Sequence, residues 1–193
     1  SRPVHGFTQM GGEGVTFTGQ APFTNTAHIF QNLGDGTYFH SGILAIRQSV
    51  ASKVNITYKI LFNDAVAMTG GQPVDGSLAI ADLVQQLKGE GVSRIELVSD
   101  QPAQPQRLAD QWVTVSHRDD IISIQKSLRN TKGCSVLVYE QTCATETRRR
   151  RKRGKALDPA RRIFINSAVC EGCGDCSVKS NCLSLLPKET EFG

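Results

Sequence analysis

No apolar run in this 193-residue chain approaches the roughly 20 residues that a membrane-spanning helix needs, and no signal peptide opens it. Both absences argue against a membrane as partner. Aromatic residues are scarce, and none neighbours the basic run Arg148–Arg153, "RRRRKR". That run holds six of the 22 basic residues; without it 16 basic residues face 18 acidic ones, a balance of −2, so the net charge of +4 is local. A nucleic-acid-binding domain spreads Lys and Arg over a face with aromatics between them, and this chain does not. The run reads as a solvated linker, with a docking strip for an acidic partner or a phosphate-binding patch as the sharper readings. Cysteines spread along the chain are also lacking. Four of the six fall between Cys170 and Cys182, while Cys134 and Cys143 stand alone. Such clustering disfavours a secreted disulfide framework and favours metal or cluster ligation in a reducing compartment, hence a cytoplasmic location. No internal repeat, Ser–His–Asp pattern or Cys–His pattern is found. The first residue is Ser1 rather than Met, which predicts a processed chain or part of a longer one.

What is present is alternation. "HIFQNL", "NITYKILFN", "RIELVSD", "VTVSH" and "CSVLVYEQT" read as strands. Between them, "FHSGILAIRQSVAS", "SLAIADLVQQLKGEG", "PQRLADQW" and "RDDIISIQKSLRN" read as helices. The glycine-rich "FTQMGGEGVTFTGQAPFT" reads as loop and short helix, and "DAVAMTGGQPVDG" as a loop. The expectation is an α/β fold, a mostly parallel sheet with helices on both faces, over residues 1–145. Residues 146–160 are polar and basic and read as a linker. Residues 161–193 are too few to bury a core alone; "RRIFINSAV" and "LSLLP" are candidate strands there, and the cysteines are the candidate staple.

In parallel sheets ligands sit at the carboxyl ends of strands. Two loops there carry oxygen donors. "GDG" places Asp35 between Gly34 and Gly36, where glycine lets backbone approach a bulky ligand. A plain turn is the default for a lone GDG. The second loop raises it: Asn63 ends the next strand 28 residues later, and a βαβ crossover of that length sets the two strand ends side by side. Asp35 and Asn63 then offer two hard oxygens to one point, with a backbone carbonyl between. Mg²⁺ prefers few protein oxygens and completes its octahedron with phosphate, so the spacing suggests a magnesium diphosphate site.

"GDGTYFHSG" followed by "NITYKILFNDAVAMTGGQP" resembles the thiamine diphosphate-binding domain of 2-oxoacid:ferredoxin oxidoreductases, the indolepyruvate type in its long fused form above all. The resemblance implies that Asp35, Asn63 and the carbonyl of Ala65 bind Mg²⁺. It places Gly34, Gly36 and Thr37 against the diphosphate of thiamine diphosphate, with Met68, Thr69 and Gly70 in a loop over the cofactor. "QMGGEG", from Gln9 to Gly14, matches the family's upstream cofactor loop. His40 falls four residues after GDG, on the first turn of a helix facing the cofactor; the alternatives are an active-site role and a helix-start His that only bonds the neighbouring loop. The resemblance further implies coenzyme A as acyl acceptor, ferredoxin as electron acceptor, a separate pyrimidine-binding domain or subunit that supplies a Glu, and an oligomer. His5, His28 and His117 show no constellation and read as structural or exposed. Cys143, at a strand end, reads as a reactive thiol or, by default, a small buried hydrophobe.

Cys170, Cys173 and Cys176 have C-x2-C-x2-C spacing, which favours a [4Fe–4S] cluster over zinc. The fourth ligand is expected to be Cys182, six residues on and followed by Leu183, where the bacterial ferredoxin pattern has a shorter step and a Pro. One motif supports one cluster. Two other classes stay open: a non-catalytic iron–sulfur electron-transfer module, and a zinc-bearing nucleic-acid binder.

Overall fold

The computed structural model describes residues 6, 8–63, 65, 76, 78–161, 163–180, 185, 186 and 189. The chain divides into two units, residues 6–156 and residues 157 onward.

The first unit is built on five strands: β1 (Ile29–Gly34), β2 (Ile56–Phe62), β3 (Arg94–Ser99), β4 (Val113–His117) and β5 (Cys134–Glu140). Their spatial order is β1-β2-β5-β3-β4, and every neighbouring pair is parallel. The central strands β2, β5 and β3 are buried along almost their whole length, as expected where both faces of a sheet are covered. Alternation assigns the faces. Val136 and Val138 of β5, with Ile95 and Leu97 of β3, enter the larger core, whereas Leu137 and Val98 enter a smaller one.

The larger core is covered by α1 (Val15–Gln20), α3 (Ile43–Ala51) and α4 (Ile80–Gly89). Phe17, Ala45, Ile46, Leu83, Val84 and Leu87 supply the apolar stripes. The smaller is covered by α5 (Ile121–Leu128) through Ile124 and Leu128. Its margin is polar: the buried Glu96 carboxylate accepts from Arg94 at 2.8 Å, and Lys59 donates to Gln125 at 3.2 Å. A buried carboxylate persists because it is paired.

The expected helix after β1 starts earlier than its apolar period suggests. GDG itself opens the helical run, as α2 (Asp35–Thr37), continues through a π-helical turn over Tyr38–Gly42, and passes into α3. Gly42 sets its approach to the sheet. A Cβ there would fall 2.9 Å from Leu33 and 3.1 Å from the Thr37 carbonyl oxygen, so only glycine seats the turn on β1.

Two other expectations need correction. Part of the basic stretch is helical, α6 (Ala144–Lys152), because Glu146 pairs with Arg149 and Arg150 at helical spacing and replaces apolar burial with surface ion pairs. In the second unit "RRIFINSAV" forms no strand among the described residues. Ile163, Phe164 and Val169 are exposed there, and without a partner strand an isolated β segment has no ladder to join. A short helix, α7 (Asp175–Ser180), follows. No described helix is long and apolar enough to cross a membrane.

Candidate functional site

Parallel pairing of β1 with β2 sets Gly34 against Leu61, so Asp35, the first residue past β1, falls one register position short of Asn63, the first past β2. The Asp35 side chain closes the gap. Its buried carboxylate accepts the peptide N–H of Asn63 through Oδ2 at 2.8 Å and its neighbour Gly36 N–H through Oδ1 at 2.8 Å. Asn63 Oδ1 in turn accepts the N–H of Ala65 at 3.0 Å, and Ala65 is buried. Three residues from two strand ends are thereby drawn together. Carboxylate, amide oxygen and main-chain carbonyl are the oxygen donors a hard dication takes.

The glycines separate into two kinds. Gly11, Gly14 and Gly42 are required by the chain itself, since a Cβ at any of them would strike a neighbour within 3 Å. Gly34 and Gly36 are not: among the described residues a Cβ on Gly36 would meet nothing within 4 Å, and one on Gly34 only Thr37 Oγ1 at 4.0 Å. Both have room above a backbone that opens a helical run, where peptide N–H groups favour anions. Packing among the described residues therefore gives no reason for glycine at either place, and close approach of another group does. The residues fit a magnesium-bound diphosphate on this observation.

His40 is exposed, within the π turn, and its Nδ1 lies 2.6 Å from Ser41 Oγ. π turns inside helices occur often at functional sites. The upstream loop reaches the same turn: Gly11 backs onto Ser41, and Gly14 onto Tyr58. Thr37 is buried beside Asp35. A surface cavity of about 480 Å³ also opens beside the turn, lined by Tyr38, Phe39, Ile43, Arg47, Gln86, Gly89 and Glu90. None of Asp35, Asn63 or His40 lines it. Its floor is a Tyr38–Gln86 hydrogen bond of 3.1 Å, and burial, then the Glu90 charge, pushes the Tyr38 hydroxyl above its ordinary range.

Met68, Thr69, Gly70 and Cys182 lie outside the described residues. Cys170, Cys173 and Cys176 are free and exposed, and among the described residues no group of three or more His, Cys, Asp or Glu side chains converges as a metal site. Cys143 is not the buried hydrophobe of the default reading. It is half-exposed at the start of α6, and its thiol is lowered chiefly by the Glu146 peptide N–H, with Thr145 assisting. Cys134 is the buried one, pushed up to about 12 by desolvation. His28 is structural: half-buried, 2.9 Å from Thr57 Oγ1, its basicity lowered by burial and then by Arg129.

Glu13, Ser41, Ser49 and Tyr58 are absent from the sequence-derived set, yet they organise the region. Glu13 is buried within the loop of residues 9–14, which the sequence marks as a segment without singling out this residue. A carboxylate between glycines was the available signal, the same one that marks Asp35.

No family model matches this chain. It is similar to indolepyruvate oxidoreductase subunit IorA of Methanothermobacter thermautotrophicus, 25% identical over 177 residues, covering 86% of this chain and 24% of that protein. The subunit of the same name from Archaeoglobus fulgidus is 25% identical over 177 residues (83% and 25% covered), and that from Methanothermobacter marburgensis 28% over 165 (77% and 26%). The chain thus spans about a quarter of the length of these relatives. A solved structure from Mycobacterium smegmatis, described as a thiamin diphosphate-dependent enzyme, aligns with a TM-score of 0.44 and 21% identity over 64% of this chain and 20% of that one.

Proposed function

We propose that this chain is the thiamine diphosphate- and Mg²⁺-binding part of a 2-oxoacid:ferredoxin oxidoreductase of the indolepyruvate type. The observation that carries the reading is Asp35: one buried carboxylate spans two adjacent strand ends, flanked by glycines at which a Cβ would meet no described residue closer than 4.0 Å. The similarity to indolepyruvate oxidoreductase subunits supports the same reading independently.

In this reading Asp35, Asn63 and the Ala65 carbonyl hold Mg²⁺. Gly34, Gly36 and Thr37 take the diphosphate, and Met68, Thr69 and Gly70 close over the cofactor. Thiamine diphosphate, when bound, supplies the electron sink for decarboxylation of a 2-oxoacid. The chain's own residues position the dication, exclude bulk from the diphosphate cradle and present His40 beside the reacting groups. Thiolates of Cys170, Cys173, Cys176 and Cys182 would hold a [4Fe–4S] cluster as the one-electron acceptor. The acyl group then passes to coenzyme A and the electrons to ferredoxin. A pyrimidine-binding domain or subunit completes the site, and a cytoplasmic location follows from cluster chemistry.

Calorimetry tests the cofactor site. Thiamine diphosphate should bind in the presence of Mg²⁺ and lose its affinity when EDTA removes the metal. Absence of binding by the unsubstituted chain, with metal present, sinks the reading.

A further inference from the structure

Four main-chain and side-chain links connect the sheet to His40. Tyr58, fully buried on β2, places its hydroxyl 2.9 Å from Ser49 Oγ, 2.8 Å from the Glu13 carbonyl and 3.2 Å from the Ala45 carbonyl. A phenol has one proton and both carbonyls only accept, so the shorter bond to Glu13 takes that proton and Ser49 donates to the phenol oxygen. Gly14, at φ +78°, lies so close that a Cβ would sit 2.6 Å from the Tyr58 hydroxyl. The main chain at Glu13 is therefore pinned. Its side chain turns back, and Oε2 accepts the Gly11 N–H at 2.7 Å. Gly11, at φ +95°, then faces Ser41: a Cβ there would fall 2.3 Å from Ser41 Oγ. Ser41 Oγ stands 2.6 Å from His40 Nδ1 and has no other hydrogen-bond partner among the described residues.

We propose that the Gly11–Glu13 turn is a positioning device for His40: Glu13 holds Gly11 against Ser41, and Ser41 fixes one orientation and one tautomer of the imidazole through Nδ1. In this reading the Ser41 hydroxyl, with no other acceptor among the described residues, donates to Nδ1 and leaves the ring proton on Nε2. His40 then offers a donor N–H outward. A buried carboxylate on a glycine turn has a purpose here that a solvated loop would not need, because the charge-assisted bond to Gly11 is what holds a φ > 0 backbone against a side chain. The device is useful to a side chain that must meet a ligand in one geometry, and so the inference rests on the reading of His40 as part of the active site. Glu13, Ser41 and Tyr58 are positioning residues.

Long-range ¹H–¹⁵N spectra of the full chain, with His40 assigned through His40→Gln, test it. The unsubstituted protein should show His40 with its proton on Nε2 and Nδ1 shifted as a hydrogen-bond acceptor. Glu13→Ala, Gly11→Ala and Ser41→Ala should each move both nitrogens toward the values of a solvated histidine, while Glu13→Gln and Ser41→Thr, which keep an acceptor and a hydroxyl, restore the original shifts. A solvent-like His40 in the unsubstituted protein overturns the proposal outright, even if Glu13→Ala fails to fold. Unmoved nitrogens in folded Glu13→Ala and Gly11→Ala overturn it as well. Thiamine diphosphate titrated into the same sample separates the two ideas: a fixed ring that saturating cofactor leaves unperturbed sinks the active-site reading of His40 and leaves the Glu13 relay standing.

Discussion

Asp35→Ala removes the acceptor of two peptide N–H groups at once, those of Gly36 and Asn63. Leaving such groups without a partner costs about 1–3 kcal/mol each where they are buried. The variant should therefore lose stability in a denaturant titration as well as Mg²⁺-dependent thiamine diphosphate binding. Among the described residues Asn63→Ala removes the Oδ1 bond to Ala65 and no other, since its own N–H stays with Asp35. It should weaken cofactor affinity without abolishing it. Calorimetry that finds full affinity in Asp35→Ala would show that the metal sits elsewhere. The cysteines give a second residue-scale test, with the sign set by thiolate population. The reactive species is the thiolate, so a lowered thiol alkylates at lower pH than a raised one. Cys143, lowered by the Glu146 N–H, should label with iodoacetamide at lower pH than an ordinary thiol. Cys134, pushed up to about 12 and buried, should resist until the chain unfolds. Peptide mapping that found the reverse order would contradict both environments.

The helical run from Asp35 to Ala51 joins stability and ligand binding in one element, and its glycines allow them to be separated. Gly36 has helical geometry and open space where a Cβ would go. Gly36→Ala should stabilise the fold by about 0.5–1 kcal/mol, the ordinary gain of alanine over glycine in a helix, while reducing cofactor affinity. Gly42→Ala should do the opposite for stability. Its Cβ meets Leu33 and the Thr37 carbonyl, an overpacking that costs about 1–3 kcal/mol. Melting curves of the two variants therefore move in opposite directions; a parallel fall would mean that Gly36 also packs internally. This element shows what a sequence discloses. The period of Ile43, Leu44, Ile46 and Val50 gives the later turns, because apolar spacing reports burial, although Leu44 proves exposed and Ala45 takes the buried place. It does not give α2 or the π turn, whose residues are chosen for close approach and hydrogen bonding. Asp35 and Asn63 were legible because strand ends are fixed by alternation and crossover length. Glu13 and Tyr58 were not, because their partnership spans 45 residues and a tyrosine in a strand reads as ordinary apolar filling. α6 was missed for a related reason: ion pairs at helical spacing leave no apolar period to detect.

The two units of the chain differ in what orders them. Residues 6–156 bury aliphatic side chains on both faces of a sheet. From residue 157 onward the apolar side chains Leu157, Ile163, Phe164, Val169, Val178 and Leu186 are exposed, and no described residue of that stretch is buried. The described residues of this stretch gain little from burial to offset their ordering entropy, so the proposed function assigns their order to another source of free energy. In the proposed reading the three cysteines at C-x2-C-x2-C spacing would supply the means, since a bound cluster contributes folding free energy directly. The fourth thiolate has two kinds of candidate. Cys182 is separated from Cys176 by the five residues "SVKSN", a loop short enough that closing it costs little entropy. Cys134 is buried at the start of β5, where no cluster can reach it without opening the sheet, and Cys143 stands half-exposed at the N-cap position of α6, in the sheet unit. Anaerobic reconstitution with iron and sulfide should therefore give broad visible absorption in the unsubstituted chain and in Cys143→Ser. Cys182→Ser and Cys173→Ser should bleach it and speed tryptic cleavage after Arg153, because the residues beyond lose the group that orders them. Loss of iron in Cys143→Ser with retention in Cys182→Ser would place the cluster against the sheet domain instead, and the exposed apolar residues of the tail would then need a partner surface rather than a cluster to explain them.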